Sequence, residues 1–545
     1  MKSEKSPFDR KSYRRLLLLA TVFLPVALLL NLGIAPLMLE EPRRGLVTME
    51  MLHSGNIWVP HLFGELYYNK PPVFNWVLMG SAAVMGELNE WALRLPTVLS
   101  LIGMGLLTYI SGRRFVSPVF GWLAGLLTIC SADLLFYFSL LGEIDLFYSL
   151  LTYGSILAVF FFHQKEQPYR LFLCTYLLAA AGFLTKGLPS VLFAGLTLVA
   201  YLGYRRAWRY LFSAEHLTGI LSFLLVVTAY YAIYAQYEDP WPFLRNIWAS
   251  SANRSPLGES WLEIPQHLIS FPPDTFKNLL PAAFLIVFGL QKSSWKSLWR
   301  QPLMQFALIA FTVNYVVYWI SPGSRQRYIY MLFPLAILVL SYLYYQRADF
   351  HPGQRFLQVI GLLGSAVVAL AAITLPFLSL DNLPGLPLWL GVALFAGGSA
   401  LFVYLFPRPE LSLPAIILVL VLSRLFFDLT ILPQRAQHSD PLQEQNWARQ
   451  VTLLSERAPI YLVNGHRAPF TFTFYLNQYR NQLLGTVEQY RENSYYILDN
   501  QEPPGWRTLT DYNDQEECYY FGFFTVPPDP AFFREREMEK AILTD

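Results

Sequence analysis

Apolar runs of bilayer-spanning length constrain this chain more than any other feature. A helix needs roughly 17 to 25 such residues to cross the hydrocarbon core. About thirteen runs approach that length, near 16–38, 92–111, 117–131, 143–162, 169–184, 187–203, 215–235, 279–290, 303–320, 327–345, 356–378, 386–405 and 412–432. The runs after 117 and 279 are the shortest. Only 14% of the residues are charged and 54% are hydrophobic, too little charge for the surface of a soluble 545-residue protein. The expectation is an all-α polytopic membrane protein with a transmembrane module over 1–432. The net charge of +2 gives no reason to invoke nucleic acid.

Charge distribution suggests an orientation. Lys2, Lys5, Arg10, Lys11, Arg14 and Arg15 precede the first run, which is too long for a signal core and lacks a small-residue cleavage site. It reads as an uncleaved helix. Arg113 and Arg114, Lys165 and Arg170, Arg205, Arg206 and Arg209, Lys292, Lys296 and Arg300, Arg347 and Arg355, and Arg408 fall in loops on the same side. Excess cations mark the cytoplasmic side, so an odd span count places the C-terminus outside. Two outer loops, about 39–91 and 236–278, are too long to be simple connectors and are expected to hold short helices on the membrane.

After Leu432 the composition changes. Residues 441–456 read as an amphipathic helix, and Pro459–Val463, Phe470–Leu476, Tyr495–Leu498 and Tyr519–Val526 as strands. A small extracytoplasmic α/β domain is expected over 433–545. Cys130, Cys174 and Cys518 suggest neither a disulfide framework nor a metal site.

The candidate chemistry lies in the outer segments. Glu40 and Glu41 follow the first run, with Arg43 and Arg44 close behind; acids often mark a helix end, and local charge balance is the plainer reading. Lys70 precedes Pro71 and Pro72, which hinder a helix from starting earlier; a snorkelling lysine is the alternative. Glu143 and Asp145 open an otherwise apolar run. Intramembrane acids are costly and tend to be functional, although helix-dipole complementation would also explain them. Residues two apart on a helix point different ways, so one shared site is not expected for this pair. Lys186 lies in an outer turn, and Ser321–Tyr328, with Arg325, Arg327 and Tyr328, forms another. With Lys70 and Arg254 these make a set of outer cations suited to phosphate, each of which taken alone could be an interfacial anchor. His53, His61 and His267 show no metal-type spacing. No cofactor is expected; a divalent metal is left open.

The order of these elements resembles the GT-C superfamily of membrane glycosyltransferases, in its lipid A aminoarabinose transferase and protein O-mannosyltransferase branches. The elements are Glu40-Glu41-Pro42-Arg43, Met51 to Pro60, Lys70-Pro71-Pro72, Ala92-Leu93-Arg94-Leu95-Pro96, an acid opening a later helix, Leu184-Thr185-Lys186-Gly187, and Arg327-Tyr328. They cover about the first 345 residues. The resemblance implies a polyprenyl-phosphate-linked sugar donor, inverting transfer at the extracytoplasmic face of a bacterial inner membrane, and a glycolipid or protein acceptor among membrane lipids. It implies catalytic roles for Glu40 and Asp145, and donor-phosphate binding by Lys70, Lys186, Arg254, Arg325 and Arg327. Glu41, Arg43, Glu143 and Tyr328 would support them. The family has aspartate where this chain has Glu40, which moves the carboxylate by about a bond length, and catalysis is sensitive to offsets near 1 Å. A lipid-linked sugar transporter or flippase, and an O-antigen ligase-like enzyme, are the competing readings.

Overall fold

The computed structural model describes residues 8, 11–253, 263–347, 349–374, 385–463, 466–500, 502–514, 517–528 and 532. The chain forms two compact units. One comprises Met1–Leu32 and Arg94–Gln434, the other Gly33–Leu93 and Arg435–Asp545.

The first unit is helical. Among the described residues of the whole chain, eight helices are long and apolar enough to cross a membrane, and all eight have most or all of their length in this unit. A ninth span results if Pro118–Ile129 and Ala132–Leu140, bent by 55°, are taken together. The expected count of about thirteen included shorter elements. Residues 279–290 form a 3-10 helix, Ala282–Leu290, and Pro189–Tyr204 is apolar but short. The first helix is Lys11–Leu29 and stops well before residue 38. Asn31 adopts a left-handed backbone with φ of 57°, and Gly33 and Pro36 follow, so the helical ladder cannot continue.

Within this unit Ile144–Gln164 packs on Pro168–Lys186, which packs in turn on Ala214–Tyr234. The hairpin of Glu90–Phe115 and Pro118–Ile129 is held close at two glycines. A Cβ on Gly121 would lie 2.4 Å from the Tyr109 carbonyl oxygen, and one on Gly125 would lie 2.8 Å from that of Gly105. Gly121 and Gly125 are four apart on one face, the small-residue spacing that lets membrane helices touch backbone to backbone. Arg94 is buried and donates from Nη1 to the Leu32 carbonyl at 2.8 Å.

The second unit has two parts. Its first segment carries the helices Glu41–Ser54 and Val73–Met85, joined through the hairpin His61–Leu62 and Glu65–Leu66. The other carries a five-stranded sheet in the order Gly485–Val487, Ile460–Val463, Tyr495–Asp499, Cys518–Phe524, Trp506–Asn513. The first three strands are parallel and the last two join antiparallel. The expected helix appears as Asp440–Ser455.

One expected strand is instead a helix, Phe470–Arg480. Its aromatic and β-branched residues suit a strand by composition. Packing favours the period of 3.6 residues. Phe470 and Phe474, four apart, face Glu41–Ser54, where a Cβ on Gly45 would meet the Phe474 ring at 2.6 Å. Phe472 stacks on Trp447 with ring centroids 3.9 Å apart.

Candidate functional site

The helical unit brings five of the sequence candidates together: Glu143, Asp145, Lys186, Arg327 and Tyr328. Glu143 has an extended backbone at the N-cap position, and Asp145 lies in the first turn of Ile144–Gln164. Lys186 is the last residue of Pro168–Lys186. Its Nζ donates to Asp145 Oδ1 at 2.5 Å, and the two side chains are only 10% and 3% exposed. The ammonium also lies 4.5 Å from the ring centroid of Tyr328 and 5.3 Å from that of Tyr148, distances at which an aromatic face stabilises a cation. Arg327, in the 3-10 helix Gln326–Leu332, is half-buried and within electrostatic reach of both Asp145 and Glu143.

The shared reach of the two acids differs from the sequence expectation. Glu143 precedes the helix, so the divergence of positions two apart does not apply. Thr97 holds it there by donating to its carbonyl at 3.2 Å. Arg325 caps the same 3-10 helix from an exposed position. Arg254 lies outside the described residues.

Two further polar pairs in this unit were not among the sequence candidates. The Tyr330 hydroxyl donates to Asp133, which sits just after the 118–129 helix ends. Arg424 Nε donates to both carboxylate oxygens of Asp428 at 2.8 Å, and both residues are fully buried. Arg424 Nη1 also donates to Ser139 Oγ at 2.8 Å and to the Leu135 carbonyl. The i, i+4 spacing of Arg424 and Asp428 in a run this apolar could have flagged a buried ion pair.

The second unit holds the other candidates. Glu40 is the N-cap residue of Glu41–Ser54, and Pro42 occupies the first turn, where its missing N–H is harmless. Glu40 Oε2 lies 3.1 Å from Arg43 Nη1 and 3.6 Å from Arg44 Nη2. Its side chain is 31% exposed, so it is held yet accessible. Glu41 is fully buried and accepts the Met38 amide at 2.9 Å, which closes the turn leading into the helix. Arg44 is buried and donates to the Tyr67 hydroxyl at 2.7 Å. Glu50 accepts the amides of Phe63 and Gly64 at 2.6 and 3.0 Å and so pins the hairpin. Burial pushes its carboxyl above the ordinary value, against the pull of those two amides.

Lys70 is buried and donates to the Asn69 carbonyl and side-chain oxygens at 3.1 and 2.8 Å. Pro72 is the N-cap of Val73–Met85, so the Pro pair does set where that helix begins. Among the described residues no group of three His, Cys, Asp or Glu could hold a metal. His53, His61 and His267 each direct a ring nitrogen to a backbone carbonyl, at 3.0, 3.0 and 3.1 Å.

The fold and these clusters define a class. The structure superimposes on ArnT from Cupriavidus metallidurans bound to undecaprenyl phosphate with a TM-score of 0.67 at 19% identity, covering 93% of this chain and 97% of that one. The apo form of the same protein gives 0.65 at 17% identity, with 92% and 97% covered. This shows a shared fold. A family described as dolichyl-phosphate-mannose-protein mannosyltransferase matches residues 69–232.

Similarity extends to particular proteins. Undecaprenyl phosphate-alpha-4-amino-4-deoxy-L-arabinose arabinosyl transferase of Pseudomonas paraeruginosa is 28% identical over 307 residues, covering 55% of this chain and 54% of that protein. The enzyme of the same name from Pseudomonas savastanoi is 26% identical over 382 residues, covering 68% of each. The chain thus spans between about half and two thirds of the length of these curated relatives. It resembles membrane glycosyltransferases of the lipid A aminoarabinose type in sequence and in fold, and it is an integral membrane protein.

Proposed function

We propose that this protein is a glycosyltransferase that moves a sugar from a polyprenyl-phosphate donor to a glycolipid acceptor at the extracytoplasmic face of a bacterial inner membrane. The relatives' names point to undecaprenyl phosphate as carrier and an aminoarabinose-type pentose as the sugar. The observation that carries this reading is the buried Lys186–Asp145 pair with Arg327 beside it, in a unit of lipid-compatible helices. An ammonium has three donors, and its described hydrogen bond uses one. Cations on a low-dielectric surface suit a phosphate that gains negative charge as it leaves.

In the proposed step an acceptor oxygen attacks the anomeric carbon. The bond from that carbon to the phosphate oxygen breaks, and its electron pair stays on polyprenyl phosphate. Lys186 and Arg327 offset the developing charge, together with Lys70, Arg254 and Arg325 from their own segments. Glu40 takes the proton if the acceptor is a hydroxyl. If the acceptor is a phosphate it is already anionic, and Glu40 with Arg43 serves to orient it. Asp145, Glu143 and Tyr328 hold the cations in place, and Glu41 holds the turn that presents Glu40. The N-terminus is assigned to the cytoplasm, and residues 433–545 to an extracytoplasmic domain. A protein hydroxyl is the alternative acceptor.

The test is transfer by the purified protein from undecaprenyl-phosphate-linked aminoarabinose to lipid A, with Glu40→Gln alongside. Turnover by the wild type and loss in the variant supports the reading. Movement of the donor across a vesicle bilayer without transfer would make the protein a transporter instead.

A further inference from the structure

We propose that the helix Phe470–Arg480 of the C-terminal segment positions the loop that carries Glu40, with Phe470 and Tyr475 as positioning residues. The inference rests on the reading of Glu40 as a catalytic group. The loop runs from residue 33 to residue 93, and its flanks meet where Arg94 donates to the Leu32 carbonyl at 2.8 Å.

Tyr475 adds a tie inside the loop, nearer Glu40. Its hydroxyl accepts the Leu37 amide at 3.0 Å and donates to Glu90 Oε1 at 2.5 Å. One phenol therefore bridges the segment that leads into Glu40 and the helix that follows the loop. Neighbours on the same helix repeat the pattern. Thr471 Oγ1 donates to the Leu37 carbonyl at 3.2 Å, and Gln478 donates to the Leu88 carbonyl at 3.2 Å. Both ends of the loop are thus held by a single rigid helix.

Phe470 reaches further in. Its ring lies 4.8 Å from the Arg43 guanidinium carbon, on the residue that pairs with Glu40 at 3.1 Å. Phe63 stacks on Phe470, with ring centroids 5.9 Å apart. A guanidinium over an aromatic face is attracted electrostatically and restricted in orientation. The arginine can then present its fork to Glu40 in one geometry. A simple packing role would need only apolar volume at position 470. An orienting role needs a ring face.

The experiment compares transfer kinetics of wild type, Phe470→Leu, Phe470→Tyr and Tyr475→Phe, with thermal melting of each and Glu40→Gln as reference. Phe470→Leu is expected to lower kcat about tenfold with melting temperature and donor KM unchanged. Phe470→Tyr should restore kcat to within about twofold of wild type. Tyr475→Phe keeps the ring and removes the bridge, and should also lower kcat at unchanged donor KM. The proposal is overturned if Phe470→Leu turns over like wild type, or if its loss is not rescued by tyrosine. If Phe470→Leu does not fold, wild-type kcat in Tyr475→Phe overturns it. Should Glu40→Gln itself be fully active, the underlying reading fails and this inference with it. Loss in Glu40→Gln with wild-type rates in the other variants removes this inference alone.

Discussion

The ammonium of Lys186, at the end of one helix, lies 2.5 Å from the carboxylate of Asp145, at the start of another. Each charge complements the dipole of its own helix, and each neutralises the other where exposure is 10% or less. Aromatic faces from Tyr148 and Tyr328 surround the cation. The second buried pair, Arg424 with Asp428, differs in kind. Its partners sit on one continuous helical stretch, and the guanidinium Nη1 also donates to Ser139 and the Leu135 carbonyl.

The two pairs should separate by double substitution. Removing one member of a buried pair strands the other charge and costs about 3 kcal/mol or more. Asp145→Asn and Asp428→Leu alone should each lower the melting temperature in detergent. Asp145→Asn with Lys186→Gln should recover the melting temperature and not the transfer activity. Arg424→Leu with Asp428→Leu should recover both. Activity in the first double variant would remove Lys186 from the donor site.

Donor affinity should follow the cations. Arg327→Gln removes a guanidinium capable of forked phosphate binding, while Arg327→Lys keeps the charge alone. Donor KM is expected to rise about tenfold or more in the glutamine variant and less in the lysine variant. Initial rates against undecaprenyl-phosphate sugar concentration measure it, and an unchanged KM in Arg327→Gln contradicts the assignment.

Helix contact at the glycine pair should be intolerant of side chains. Gly121→Leu places carbon where the Tyr109 carbonyl oxygen would be 2.4 Å from its Cβ. Overpacking of this kind costs about 1 to 3 kcal/mol or more. Gly80, whose Cβ would meet nothing within 4 Å, provides the control. Detergent melting of Gly121→Leu and Gly80→Ala should show a clear drop only in the first.

A pH dependence follows from Glu444. Burial raises its carboxyl to about 7 from an ordinary 4.5, against the pull of the Phe472 amide that it accepts at 3.2 Å; Asp514 and Asp440 add to the rise. The folded state keeps the proton between these values while the unfolded state has lost it. The unfolded state binds fewer protons there, so stability falls as pH rises from 4.5 to about 7 and levels off above. Glu444→Gln should remove this slope. Hydrogen exchange of the sheet amides between pH 5 and about pH 8 checks it, and a slope retained in the variant would assign it to another group.

Long apolar periodicity made the membrane helices legible, including Ile144–Gln164 and Pro168–Lys186 almost to the residue. The loop helices were expected and are present as Glu41–Ser54 and Val73–Met85. The strand expectation from Phe470 misled because a content of aromatic and β-branched residues is a weak signal when a helix can bury the same rings. Trp447 and Gly45, distant in sequence, decided that segment.

Sequence alone determined that the chain enters a membrane, which segments are helical there, and where acids and cations gather. Those properties are local: they depend on run length, on proline and on charge at helix ends. Only the tertiary structure decided which charge meets which. Glu41 and Glu40 are adjacent, yet one closes a buried turn and the other faces two arginines. Asp145 found Lys186, 41 residues away, and Leu37 found Tyr475, 438 residues away. A buried polar atom must find a partner wherever the packed chain brings one, and no local pattern encodes that distance.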